Sequence, residues 1–167
     1  MHPVRPILAA AVAAALVSFA PAVLSHGGEK HAKPKAVDVS KAEELPFGRS
    51  GDPKKANRTI QVGMDDTMHF TPGDLVVKRG ETVKFVVRND GKIMHEMVIG
   101  TMKELKEHAE LMRKFPNMEH DEPYMAHVAP GKRDELVWQF TRAGEFFYAC
   151  LIPGHLEAGM IGKITVK

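Results

Sequence analysis

The chain has 167 residues, 23 Lys and Arg against 21 Asp and Glu, nine His, ten Met and a single Cys. One cysteine excludes an intrachain disulfide and every metal site built on two or more thiolates. A net charge of +2 argues against a nucleic-acid partner recruited by bulk charge, and the length suits one domain able to bury a core without staples.

Residues 1–25 read as a secretory signal. Arg5 lies in a short basic start, Ile7 to Ala20 is an uncharged Ala-rich run, and small residues follow that allow cleavage after Ala22 or after Ser25. An apolar run of about 14 residues is too short for a comfortable membrane span; an uncleaved anchor is the alternative. The expectation is an exported, periplasmic protein with no membrane association after cleavage. Residues 26–56 are a polar leader without hydrophobic period, carrying His26 and His31, with Leu45-Pro46-Phe47 as a docking point. A solvated linker is the simpler reading of the leader; copper chelation by His26 at a new N-terminus is the other.

From residue 57 onward short β-type runs alternate with turns. Strands are predicted at 59–62, 75–78, 82–88, 94–99, 135–140, 145–149 and 161–166. Thr101 and Glu104 have capping-box spacing, and Met102, Leu105, Ala109 and Met112 recur on one helical face, so one helix starts at 102 and ends by Pro116. Residues 117–132 read as a loop. About seven short strands over residues 57–167 predict an all-β fold, a Greek-key β-sandwich with one short helical insertion.

The chemistry concentrates near the C-terminal end. Cys150-x4-His155-x4-Met160 sets three soft or borderline ligands on one short loop between two strands. A fourth must come from elsewhere, and His95, at the start of an apolar strand, is the candidate. Two imidazoles, one thiolate and a weak thioether describe an electron-transfer copper site. Thiolate and thioether favour Cu(I), imidazole serves both oxidation states, and the compromise limits rearrangement when an electron moves.

These residues, followed by Ile161-Gly162-Lys163-Ile164-Thr165-Val166 and preceded by Val76-Val77-Lys78-Arg79-Gly80-Glu81-Thr82-Val83, resemble the cupredoxin (blue or type 1 copper) family. The ligand loop is of the long type seen in rusticyanin-like and auracyanin-like members. The resemblance covers residues 57–167 apart from the stretch near 101–130. It implies His95, Cys150, His155 and Met160 as ligands of one copper ion. Many members carry Asn or Ser after the first His, bracing the Cys loop; here Glu96 follows, and strand alternation turns it away from His95, which predicts an exposed side chain.

A second set of soft residues lies at Met118, His120, Met125 and His127, and Met64, Met68 and His69 are candidates to lie near it in the fold. It reads either as a second copper site or as Met packing with polar loop histidines. His108 on the helix and His69 read as solvated. Met97 reads as core and Met94 as an edge of the copper pocket. No catalytic motif is present, so an enzyme is not expected. Two functions fit: copper handling, favoured by the leader and the Met/His loop and resembling the bacterial copper-tolerance branch of the family, or one-electron transfer to a redox partner protein. A monomer is expected in either case.

Overall fold

A computed structural model describes residues 42–116 and 120–167. The signal at 1–25, the leader to residue 41 with His26 and His31, and Met118 lie outside the described residues. Among the described residues, ten strands and one α-helix follow in chain order, with a 3-10 turn at Pro53–Lys55: β1 (Arg49–Ser50), β2 (Arg58–Asp65), β3 (His69–Thr71), β4 (Asp74–Val77), β5 (Thr82–Asn89), β6 (His95–Gly100), α1 (Met102–Lys114), β7 (Met125–Val128), β8 (Arg133–Gln139), β9 (Gly144–Ala149) and β10 (Ile161–Val166).

The strands form two five-stranded sheets ordered β1-β8-β5-β2-β3 and β4-β10-β9-β6-β7. Two pairs are parallel, β2 with β5 and β4 with β10; the rest are antiparallel. This is the predicted sandwich. Alternation explains its core: β5 buries Val83, Phe85 and Val87 while Lys84 and Val86 stay partly open, and β10 buries Ile164 and Val166 in the same rhythm. Trp138, Phe85, Tyr148 and Met97 fill the space between the sheets. Phe47 docks as its sequence neighbourhood suggested. It is buried, its ring stacks on Trp138 at 5.2 Å, and its carbonyl accepts the indole N–H at 2.9 Å.

One expectation needs correction. The segment 117–132 is not all loop, because Met125–Val128 forms the edge strand β7, paired with β6 through His95↔Val128 to Val98↔Met125. Pro123 and Pro130 on either side concealed a four-residue run too short to register as a strand. His69 is exposed, as expected, and lies in the short strand β3.

The helix is as predicted. Thr101 Oγ1 accepts from Glu104 N, and Glu104 Oε2 accepts from Thr101 N at 3.0 Å. Leu105, Ala109 and Met112 pack on Val98, Ala149 and Leu151, making a second apolar layer outside the sheet. Strand β6 is therefore buried on both faces. Thr101→Ala is expected to destabilise the fold by about 1 kcal/mol, the usual worth of an N-cap side chain. A chemical-denaturation midpoint equal to that of the parent chain counts against this assignment. No helix among the described residues is long and apolar enough to cross a membrane.

Candidate metal centre

The ends of β6 and β9 lie side by side, with Val98 opposite Ala149. His95 opens β6, and Cys150 follows β9 directly. The chain then turns through residues 151–159 in a series of tight main-chain bonds: His155 N to Ile152 O, Ala158 N to Gly154 O, Gly159 N to Leu156 O, and Met160 N to His155 O, all 3.0 Å. Gly154 and Gly159 take φ values of +92° and +94°, where a side chain would be strained. The turn closes where Cys150 N donates to Met160 O at 3.1 Å.

This path brings three ligand atoms of His95, Cys150 and His155 within 4.8 Å of one another. His155 Nδ1 lies 3.2 Å from Cys150 Sγ and His95 Nδ1 lies 4.0 Å from it. His95, Cys150 and Met160 are fully buried, whereas His155 keeps 9 % of its surface exposed. His155 is thus the one member that reaches solvent. The donor set of two imidazole nitrogens and one sulfur fits a copper ion.

Neighbouring residues fix the donors. His95 Nε2 contacts Asp66 Oδ1 at 3.2 Å, which leaves Nδ1 as the nitrogen turned toward the sulfur. The same carboxylate accepts from Lys92 N at 2.8 Å, so it also holds the turn leading into β6. These contacts, the one from Lys92 first, hold Asp66 below the usual carboxylate range. A Cβ on Gly91 would fall 2.0 Å from Asp66 Oδ1, so only glycine admits this approach. Buried Asn89 completes the turn: its Nδ2 donates to Ile93 O and Val128 O at 2.8 Å, and its Oδ1 accepts from Gly91 N. Sequence reasoning missed Asp66 and Asn89. Asp66 lies 29 residues from His95, and no local spacing marks the pair.

Glu96 reverses the expectation of an exposed side chain. It does point away from His95, but the outer face of β6 is covered, and Glu96 is 1 % exposed. Its Oε1 accepts from Leu151 N at 2.9 Å, and its own main-chain N–H lies 3.5 Å from Cys150 Sγ. The brace on the Cys loop is thus supplied by Glu96 itself. Its Oε2 contacts His127 Nδ1 at 3.1 Å, which raises the imidazole above its ordinary value. Burial lowers His155 and pushes the Cys150 thiol up to about 12. Burial, and then the neighbouring His120, also lowers His108.

The remaining predicted residues divide. Met97 is core, and Met94 is 42 % exposed. Met125 packs under α1 rather than standing free. His108 is not simply solvated: it is half-buried, and its Nε2 lies 2.8 Å from His120 Nε2.

A thiol and two imidazoles converging where adjacent strands of a Greek-key sandwich end define a cupredoxin. A family model for copper binding proteins of the plastocyanin/azurin family matches residues 56–167, and the chain belongs to that family. Copper is accordingly its cofactor. The chain is 50 % identical over 164 residues to the copper-resistant cuproprotein CopI of Rubrivivax gelatinosus, covering 98 % of this chain and 96 % of the relative. It is 34 % identical over 161 residues to the protein of the same name from Pseudomonas aeruginosa, covering 79 % and 88 %. Auracyanin B has the same fold, with a TM-score of 0.61 at 20 % identity over 75 % of this chain and 99 % of that one.

Proposed function

We propose that His95, Cys150, His155 and Met160 hold one copper ion, and that the protein is exported to the periplasm to protect the cell from excess copper. The convergence of His95, Cys150 and His155 within 4.8 Å carries this reading. Met160 would supply a weak thioether donor, since it is fully buried and its main chain is bonded to both Cys150 and His155. Copper bound there supplies a one-electron Cu(II)/Cu(I) couple. The protein's own part is to bury the sulfur, fix the imidazole at Asp66, and brace the loop through Glu96. The similarity to copper-resistant cuproproteins over nearly the whole chain supports the tolerance role, and the protein acts as a binder rather than an enzyme.

A second reading is one-electron transfer as a monomer between redox partner proteins, with the solvent-facing edge of His155 as the electron port. Deleting the gene separates the two. Under the tolerance reading the deletion strain grows poorly on copper, and the wild-type gene restores growth while Cys150→Ser does not. Unchanged copper sensitivity together with a respiratory or other electron-transfer defect would favour the carrier.

A further inference from the structure

Three histidines outside the Cys150 cluster gather from separate elements. His108 stands on α1, His120 lies in the chain between α1 and β7, and His127 lies on β7. The Nε2 atoms of His108 and His120 are 2.8 Å apart. The His120 and His127 rings meet edge to face with centroids at 5.6 Å. His127 Nε2 lies 3.1 Å from the His120 carbonyl oxygen, while its Nδ1 is held by Glu96 at 3.1 Å. His120 is thus positioned from beneath by an imidazole that a buried carboxylate orients. All three rings are half-buried.

His108 and His120 both line an open cleft of about 400 Å³, and Glu104, Glu107 and Glu122 line it with them. Two imidazoles at the wall of a cleft with three carboxylates present nitrogen donors in a field that draws cations. Two nitrogens bound at roughly 2.0 Å to one ion and at about a right angle to each other are about 2.8 Å apart. The pair is therefore already set at the span of adjacent ligands. Without an ion, one imidazole donates its Nε2 proton to the other. A bound ion takes the place of this nitrogen–nitrogen contact.

We propose that His108 and His120 form a second metal site for a divalent first-row cation, Cu(II) being the ion held most tightly. Imidazole donors accept several such ions, and affinity for a given site peaks at Cu(II). The half-buried position leaves the ion's other coordination positions to water, so this site is hydrated where the Cys150 cluster is closed. Glu96 touches the frames of both: it orients His127 beneath His120 and accepts from Leu151 N beside Cys150.

The test is copper stoichiometry on the whole exported chain, with His26→Ala and His31→Ala introduced to silence the leader. Titration with a Cu(II) salt is expected to fill two sites per chain. The second ion gives an electron paramagnetic resonance signal with a large parallel hyperfine splitting and adds nothing to the visible thiolate band. His108→Ala and His120→Ala should each weaken the second ion at least about 100-fold, and the intact visible band of those variants reports that they are folded. In Cys150→Ser the visible band disappears and the second ion stays, so failure of the main ligand assignment is read separately. A single copper per chain, or a second copper that survives both histidine substitutions, overturns the proposal. Preference for Zn(II) over Cu(II) in direct competition overturns its copper selectivity.

Discussion

Cys150→Ser is expected to remove the visible ligand-to-metal absorption altogether and to weaken copper binding by several orders of magnitude. The band requires a thiolate, and a serine hydroxyl offers a hard, protonated oxygen to a site otherwise suited to a soft ion. Cys150 is fully buried and its thiol is pushed up to about 12, so the metal-free protein carries the proton at neutral pH. Copper loading must displace it. One proton released per ion makes apparent affinity rise about tenfold per pH unit through the neutral range, a slope that Cys150→Ser abolishes. Absorption spectroscopy and proton counting in weakly buffered solution check both effects. A band that persists in the variant refutes the site.

Glu96→Ala is expected to cost about 3 kcal/mol, because it strips a buried charged acceptor from Leu151 N and its partner from His127. Glu96→Gln keeps an acceptor for Leu151 N and should cost only about 1–2 kcal/mol. The variant also changes the pH profile. Glu96 raises His127 in the folded chain. That contribution is complete below the ordinary imidazole value of about 6.5 and is lost as pH rises through the raised value. The parent chain should therefore lose this stabilisation on going alkaline, and Glu96→Ala should show no such step. Denaturant titrations across pH 5–9 report the difference, and identical profiles would show that the pair contributes nothing. Copper affinity should fall together with stability, since the same carboxylate holds the residue after Cys150.

The sandwich was legible because period-two alternation is strong in strands such as β5 and β10, and because the capping box at Thr101 announces the helix. The Cys150, His155 and Met160 spacing was legible because all three lie on one loop. What the sequence hid depends on contacts between distant segments. Asp66 and Asn89 reach the turn before His95 only once β2 and β5 lie side by side. Glu96 was given its correct direction by alternation, but its burial follows from covering the outer face of β6, which alternation does not record. The pairing of His108 with His120 requires α1 to fold back over β6, a tertiary outcome that helical periodicity leaves open.

The hydrogen bond from Cys150 N to Met160 O has a consequence for how such a site can change. It sits just beyond the Ala149↔Ile161 pair of β9 and β10, so residues 151–159 leave and rejoin the sandwich through one pinned neck. A segment anchored this way can be lengthened or shortened without shifting strand register, because loop-closure entropy grows only slowly with length. The sandwich behaves as a socket and the segment between Cys150 and Met160 as an exchangeable plug. With the proposed ligands Cys150, His155 and Met160, a change in this segment would alter donor spacing, and with it the properties of a bound copper, while the socket is left as it stands.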